Sequence, residues 1–282
     1  MSQERSEQNR EVAAQREVAR IALAAVDGFA LAGSGAIREH GVIERPTEDV
    51  DLFTDSQDVK VFSTAVDQVT AQLRGSGFQV EQTRRAPQFA RLHVATSDGL
   101  HLDVDLGVDW RQEDPVQLDV GPVLSLADAV GSKVSTIYSR GEARDYLDLD
   151  AIRSSRLFSD EQLVTAATAR DGGFEVGMFA QQLAGVRWLT HPEVSPYGVT
   201  AEQLEGIKSR CMQWAADLQQ KPARGSDPEA AADLSGDELR GLIERRQAGF
   251  PIPPTEATRR PPGPKARPAQ HHQKDQDRGI EL

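Results

Sequence analysis

The stretch Thr47-Glu48-Asp49-Val50-Asp51-Leu52-Phe53 constrains this chain more than any other. Two carboxylates two residues apart in an apolar run (Val50, Leu52, Phe53) read as one face of a β-strand. Strand side chains alternate, so Asp49 and Asp51 point the same way, their Cα atoms roughly 6–7 Å apart. That span suits one or two Mg²⁺ ions, which take a few carboxylate oxygens together with substrate phosphates. Shortly before it, Leu31-Ala32-Gly33-Ser34 reads as a short buried strand running into a Gly-Ser turn. Such a turn offers backbone N–H groups and a hydroxyl to a triphosphate. The combination points to metal-assisted transfer of a nucleotide.

Charge narrows the partners. The 282 residues hold 32 basic and 44 acidic side chains, a net charge of -12. From Lys221 onward 11 are basic and 10 acidic, which leaves 21 and 34 for the body. A body that acidic is a poor general polyanion binder, so a nucleic acid must meet a local basic patch. Cys211 is the single cysteine, which excludes an intramolecular disulfide and a cysteine-rich zinc site. Met1 to Arg10 is strongly polar, and no apolar run has membrane-spanning length, so a cytoplasmic protein without membrane attachment is expected.

Helical spacing of apolar residues predicts a helix over 11–26, strands at 29–32 and 49–53, and a brief helix over 36–40. An amphipathic helix is predicted over 59–73, followed by strands 78–81, 89–95 and 100–106. From Ser125 the pattern turns helical, with helices predicted over 126–138, 143–154, 160–170, 174–184 and 200–218. Ser125/Asp128, Ser159/Gln162 and Thr200/Gln203 have capping spacing. After Gln220, seven prolines between Pro251 and Pro268 speak against packed structure. Ser235 to Gln247 is the exception, with the pattern of one isolated helix. The expected fold class is α+β: a mixed sheet with helices over 1–120, a helical domain over 121–218, and a flexible tail over 219–282.

A second acidic strand, His101-Leu102-Asp103-Val104-Asp105-Leu106, completes a carboxylate triad if it lies beside the first. Asp105 is favoured because Asp105-Leu106 repeats the Asp51-Leu52 context; Asp103 is the alternative. Gathered acids repel and raise one another's pKa unless a cation sits among them. Lys133, Arg140, Arg144, Asp145 and Asp148 form a further constellation. Spacing puts 133, 137, 140, 144 and 148 on one helical face, unless Gly141 splits it into two helices. A cation near the triphosphate offsets charge that neither metal nor turn reaches. Plainer readings stand beside these. Gly33-Ser34-Gly35 is also a common strand-to-helix turn, and a Rossmann reading competes, with Asp49 or Asp51 as the ribose-binding acid; it lacks the third glycine, because Arg38 stands there, and leaves the second acid unexplained. Arg144 and Asp148 at i, i+4 also suit a simple helix ion pair, and Trp188, Trp214 and Tyr146 are expected in the core.

Taken together, Gly33-Ser34, Asp49-x-Asp51, Asp105-Leu106, and Lys133 followed by Arg140-Gly-Glu-Ala-Arg144-Asp145-Tyr-Leu-Asp148 resemble the AbiEii/AbiGii-type nucleotidyltransferases. These include the MenT toxins, a branch of the DNA polymerase β-like superfamily. The resemblance covers roughly residues 20–190. It implies that Gly33 and Ser34 bind nucleotide phosphates, that Asp49 and Asp51 ligate Mg²⁺ with Asp105 as third ligand, and that Lys133 contacts the triphosphate. Asp145 would be a late acid required for activity, and Arg140 and Arg144 would help bind the nucleotide. Family members act as toxins of toxin–antitoxin or abortive-infection systems, some adding nucleotides to the 3′ end of tRNA. The resemblance thus implies an NTP substrate, an RNA acceptor and a protein antitoxin. In one MenT toxin a serine two residues before the first aspartate is phosphorylated, and Thr47 has that spacing here. A small cationic acceptor such as an aminoglycoside, a protein acceptor, or a non-catalytic nucleotide-binding scaffold are the alternatives.

Overall fold

The computed structural model describes residues 2–45 and 47–220; the tail and the helix expected over 235–247 lie outside the described residues. Helix α1 (Ser2–Ala24) leads into β1 (Phe29–Leu31) and α2 (Gly33–Glu39). Strand β2 (Asp49–Thr54) and helix α3 (Val59–Gly75) precede a meander of β3 (Gln79–Ala86), β4 (Phe89–Ala95) and β5 (His101–Val108). A hairpin of β6 (Val116–Leu118) and β7 (Gly121–Val123) closes the sheet. The helices α4 (Leu126–Ser139), α5 (Ala143–Ser155), α6 (Asp160–Arg170), α7 (Val176–Leu183), α8 (His191–Val194) and α9 (Ala201–Gln220) follow.

The seven strands lie in the order β3-β4-β5-β2-β1-β7-β6. β2 runs parallel to β5 and antiparallel to β1, while β4 is antiparallel to both β3 and β5. Alternation sorts the side chains into two unlike faces. Val50, Leu52, Leu92, Val94, Val104 and Leu106 are buried on one. There α3 packs down its Phe62, Val66, Val69 and Leu73, each worth roughly 1.5–3 kcal/mol when fully buried. Asp58 caps α3, accepting from the N–H groups of Lys60 and Val61 at 2.8 and 3.1 Å. The acids of β2 and β5 therefore point to the opposite face, toward α2 and α4.

The departures from expectation that bear on the site have local causes. Helix α2 begins at Gly33 rather than Ala36, so the Gly-Ser pair forms its first turn instead of preceding it. The β6–β7 hairpin escapes sequence reading because its strands are three residues long and one carries Pro122. Gly141, at φ +58, does split the 126–155 segment into α4 and α5. Ser159/Gln162 form a full capping box, and Thr200 and Gln203 exchange the same reciprocal bonds. Ser125 caps α4 alone, because the Asp128 carboxylate turns to the backbone N–H groups of Gln112 and Glu113. One apolar core runs from Val18 to Ala215 and takes in Cys211, Trp214 and Tyr146. Trp188 is corrected: it is 74% exposed, because its short 3₁₀ turn aims it outward with Arg187 over its ring at 5.0 Å. Among the described residues no helix is long and apolar enough to cross a membrane.

Candidate active site

Parallel pairing sets the acids. Asp49 lies opposite Asp103, and Asp51 opposite Asp105. Asp49, Asp51 and Asp105 each offer a carboxylate oxygen, and these oxygens lie within 4.8 Å of one another. Asp103 stays outside the cluster, held instead by His93 Nδ1 at 3.0 Å. Among the described residues no side chain donates a hydrogen bond to Asp49 or Asp51. Burial first, then the charges of Asp49 and Asp105, push Asp51 well above the usual carboxylate range. Asp105 is also raised by burial, although Arg91 opposes this through two bonds of 2.6 and 2.5 Å. Three oxygens so placed, two of them without a donor, fit a hard divalent cation.

The Gly33–Ser34 corner touches this cluster directly. Gly33 sits at φ +56, where a side chain is strained, and a Cβ there would fall 1.9 Å from Asp51 Oδ2. Only glycine lets the backbone turn this tightly past the acid. One residue earlier, the Ala32 N–H donates to the Asp51 carbonyl at 2.8 Å, fixing the approach. Ser34 Oγ donates to Asp148 at 2.8 Å and accepts from Lys133 Nζ at 3.1 Å. Lys133 Nζ also reaches Asp145 at 3.1 Å and Asp148 at 3.0 Å, so its three N–H bonds are all committed. Burial works against the lysine's charge, but Asp148 and Asp145 outweigh it and raise its pKa.

Both partner acids are almost sealed from solvent, Asp145 at 0% and Asp148 at 1% exposure. Burial disfavours the Asp145 carboxylate, yet Lys133 and Arg140 overcome this and hold it at about 2. Arg140 bonds it at 3.0 and 3.1 Å, and it caps α5 by accepting from the Glu142 N–H. Asp148 is likewise lowered: burial opposes its charge, and Lys133 and Arg45 win. Arg45 grips it at 2.6 and 2.7 Å in a fork that also reaches Ser34 Oγ at 3.2 Å.

A cleft of about 370 Å³ joins these groups, lined by Gly33, Ser34, Asp49, Asp51, Asp105 and Lys133 among others. Arg140 and Arg144 border it as well. The helix ion pair between Arg144 and Asp148 does not form: Arg144 bonds Glu48 at 2.6 Å and Glu142 at 3.0 Å. Asp148 faces inward, where a buried charge must find its own partners. Thr47 also borders the cleft, but its hydroxyl is buried, donating to Gln15 at 2.9 Å. Arg45 and Arg91 escaped sequence reading. Arg91 sits opposite Asp105 in the β4–β5 register, which no local pattern displays.

A profile of the family described as nucleotidyl transferase AbiEii toxin, type IV TA system, matches residues 21–231. The chain belongs to the AbiEii nucleotidyltransferase toxin family. It is accordingly an NTP-dependent nucleotidyltransferase, as the sequence motifs predict. Among solved structures this AbiEii chain is similar to the nucleotidyltransferase toxin MenT4 (Rv2826c) of Mycobacterium tuberculosis H37Rv. The identity is 16% and the TM-score 0.49, over 84% of this chain and 93% of that one. It is also similar to JHP933 of Helicobacter pylori, at 16% identity and TM-score 0.47, over 79% and 98%. No curated protein sequence matches it.

Proposed function

We propose that the enzyme moves a nucleoside monophosphate from an NTP to the 3′-terminal hydroxyl of an RNA, a tRNA by family resemblance, with Mg²⁺. The observation that carries this is the contact of the Asp49–Asp51–Asp105 cluster with the Gly33–Ser34–Lys133 corner inside one cleft. In the reaction the acceptor oxygen bonds to the α-phosphorus as the bond from that phosphorus to the leaving pyrophosphate oxygen breaks. The hydroxyl proton departs to solvent. Asp49, Asp51 and Asp105 would hold one or two Mg²⁺ ions, which supply activation of the hydroxyl and neutralise charge on the leaving group.

The rest falls to the chain's own residues. The first turn of α2 presents backbone N–H groups at Gly33 and Ser34 to the phosphates. Lys133 exchanges its Ser34 contact for a phosphate oxygen, keeping Asp145 and Asp148 as anchors. Asp145 and Asp148 are positioning residues in this reading: they aim Lys133, Arg140 and Arg45 rather than touch substrate. Arg140 and Arg144 add positive charge at the rim. Toxin action under a protein antitoxin follows from the family. Thr47 is the candidate point of modification, two residues before Asp49, where a phosphate would add like charge beside the metal ligands. Its hydroxyl is buried, so modification requires the chain to open there.

The body's negative charge favours a second reading, a cationic small acceptor of the aminoglycoside type. Purified protein incubated with each α-labelled NTP, with total tRNA or an aminoglycoside, separates them. Label in tRNA is expected; label only in the drug overturns the RNA reading. Asp49→Asn protein that still transfers label would overturn the assignment of the site.

A further inference from the structure

In the reaction proposed above, the pyrophosphate would leave toward the Gly33–Ser34 corner, beside β1. In-line displacement then requires the acceptor hydroxyl to arrive from the opposite side of the acids, over β5 and the strands beyond it. The register there draws one continuous row across four strands: Asp51 opposite Asp105, Asp105 opposite Arg91, Arg91 opposite Arg84. A second row runs Asp49, Asp103, His93, Glu81. Both open to solvent at their outer ends, since His93, Glu81 and Arg84 are half-buried or exposed. His101 stands next to His93, their rings stacked at 5.2 Å.

Arg84 reaches this face only through an irregularity. Between Gln82 and Arg84 the β3–β4 register shifts by one residue. Unshifted pairing would set Thr83 opposite Arg91 and turn Arg84 to the α3 side, where Arg85 does lie, bonded to Asp67 and Ser63. A bulge that re-aims a side chain beside an active site is a feature of the fold with a use. Here it places a second guanidinium two strands from Asp105, roughly 10 Å away at ordinary strand spacing.

We propose that the open face of β5, β4 and β3 is the acceptor platform, with Arg91 and Arg84 contacting phosphates next to the RNA 3′ end. This rests on the RNA reading above and deepens it. Arginine forks suit phosphate oxygens. They bring positive charge to the outer side of the acids, which an acidic body needs where it receives a polyanion. Asp105 and Asp103 share Arg91, so Arg84, farther out on the same row, is the platform cation that the test addresses.

The test measures binding apart from chemistry, on the full chain with fluorescein-labelled total tRNA and, separately, a non-hydrolysable NTP. Arg84→Glu is expected to weaken tRNA binding about tenfold or more and to flatten its salt dependence by about one phosphate contact. Arg84→Lys should retain most of the affinity, and NTP-analogue binding should stay unchanged throughout. Lys60→Glu, on α3 behind the sheet, makes the same charge change and should leave tRNA binding intact. His101→Glu, at the other corner of the platform, should also lose tRNA and serves if Arg84→Glu fails to fold. Wild-type affinity in both platform variants, or equal loss in Lys60→Glu, overturns the platform while wild-type labelling of tRNA leaves the RNA reading standing. A wild-type protein that neither binds nor labels tRNA removes that reading and the platform with it.

Discussion

Two clusters of buried charge meet at Gly33, and they are built in opposite ways. In the first, Lys133, Arg45, Arg140, Asp145, Asp148 and Ser34 saturate one another. In the second, Asp49, Asp51 and Asp105 crowd together, with Arg91 as the one cation bonded to them among the described residues. The first is complete: each of its charged groups already has its partners within the fold. The second carries excess negative charge that folding alone does not compensate, as the raised Asp51 and Asp105 carboxyls record. Charge left uncompensated in a fold marks where a ligand belongs; charge fully compensated marks what holds that place in shape.

The largest expected effect breaks the comparison at its functional end. Asp51→Asn should reduce nucleotide transfer at least about a thousandfold, some 4 kcal/mol of transition-state stabilisation. The same substitution should leave the fold no less stable at neutral pH, because it removes a repelled charge. Mg²⁺ should raise the melting temperature of the wild type and not of this variant. Parallel losses of activity and of stability would mean that the acids are structural.

Next in size is the complete cluster. Asp148→Ala leaves Lys133 and Arg45 buried without their shared acid, which should cost about 3–4 kcal/mol of stability in denaturant unfolding. Activity should fall too, but as a consequence of a misplaced Lys133. A stable, fully folded Asp148→Ala protein would show that Lys133 finds its position without help.

Much of the incomplete cluster was legible in the sequence, and the complete one much less so. Asp49, Asp51 and Asp105 announce themselves through period-two alternation within single strands, a local signal. Choosing Asp105 over Asp103 needed only the recurrence of Asp-Leu; the register pairs both with β2 acids, and it is Asp105 whose carboxylate joins those of Asp49 and Asp51. Gly33-Ser34 was visible as a turn, although its place inside α2 was not. By contrast Arg91 acts through antiparallel register and Arg45 through a loop, neither of which has a periodic signature. Asp148 misleads for a physical reason. Its local partner Arg144 offers a surface pair worth under about 0.5 kcal/mol, whereas a buried carboxylate demands the lysine and arginine that tertiary packing brings. The β6–β7 hairpin was hidden by its brevity.

The smallest effects are the pH responses, and they carry opposite signs in the two clusters. Asp145 has its carboxyl lowered to about 2 from an ordinary 3.8. Its contribution, roughly 2 kcal/mol, is fully present above the unfolded value and disappears as pH falls through about 2. Asp51 has its carboxyl raised, so its ionised form burdens the fold at neutral pH, and that burden lifts as acid protonates it. Unfolding free energies measured without divalent metal from pH 7 down to pH 2 separate the two. Relative to wild type, Asp51→Asn should gain most at neutral pH and lose that advantage on moderate acidification. Asp145→Asn should be weakest relative to wild type at neutral pH and converge with it only in strong acid. Difference curves that slope the same way for both variants would show that the two acids share one electrostatic environment, and the distinction between a saturated cluster and an open one would fall.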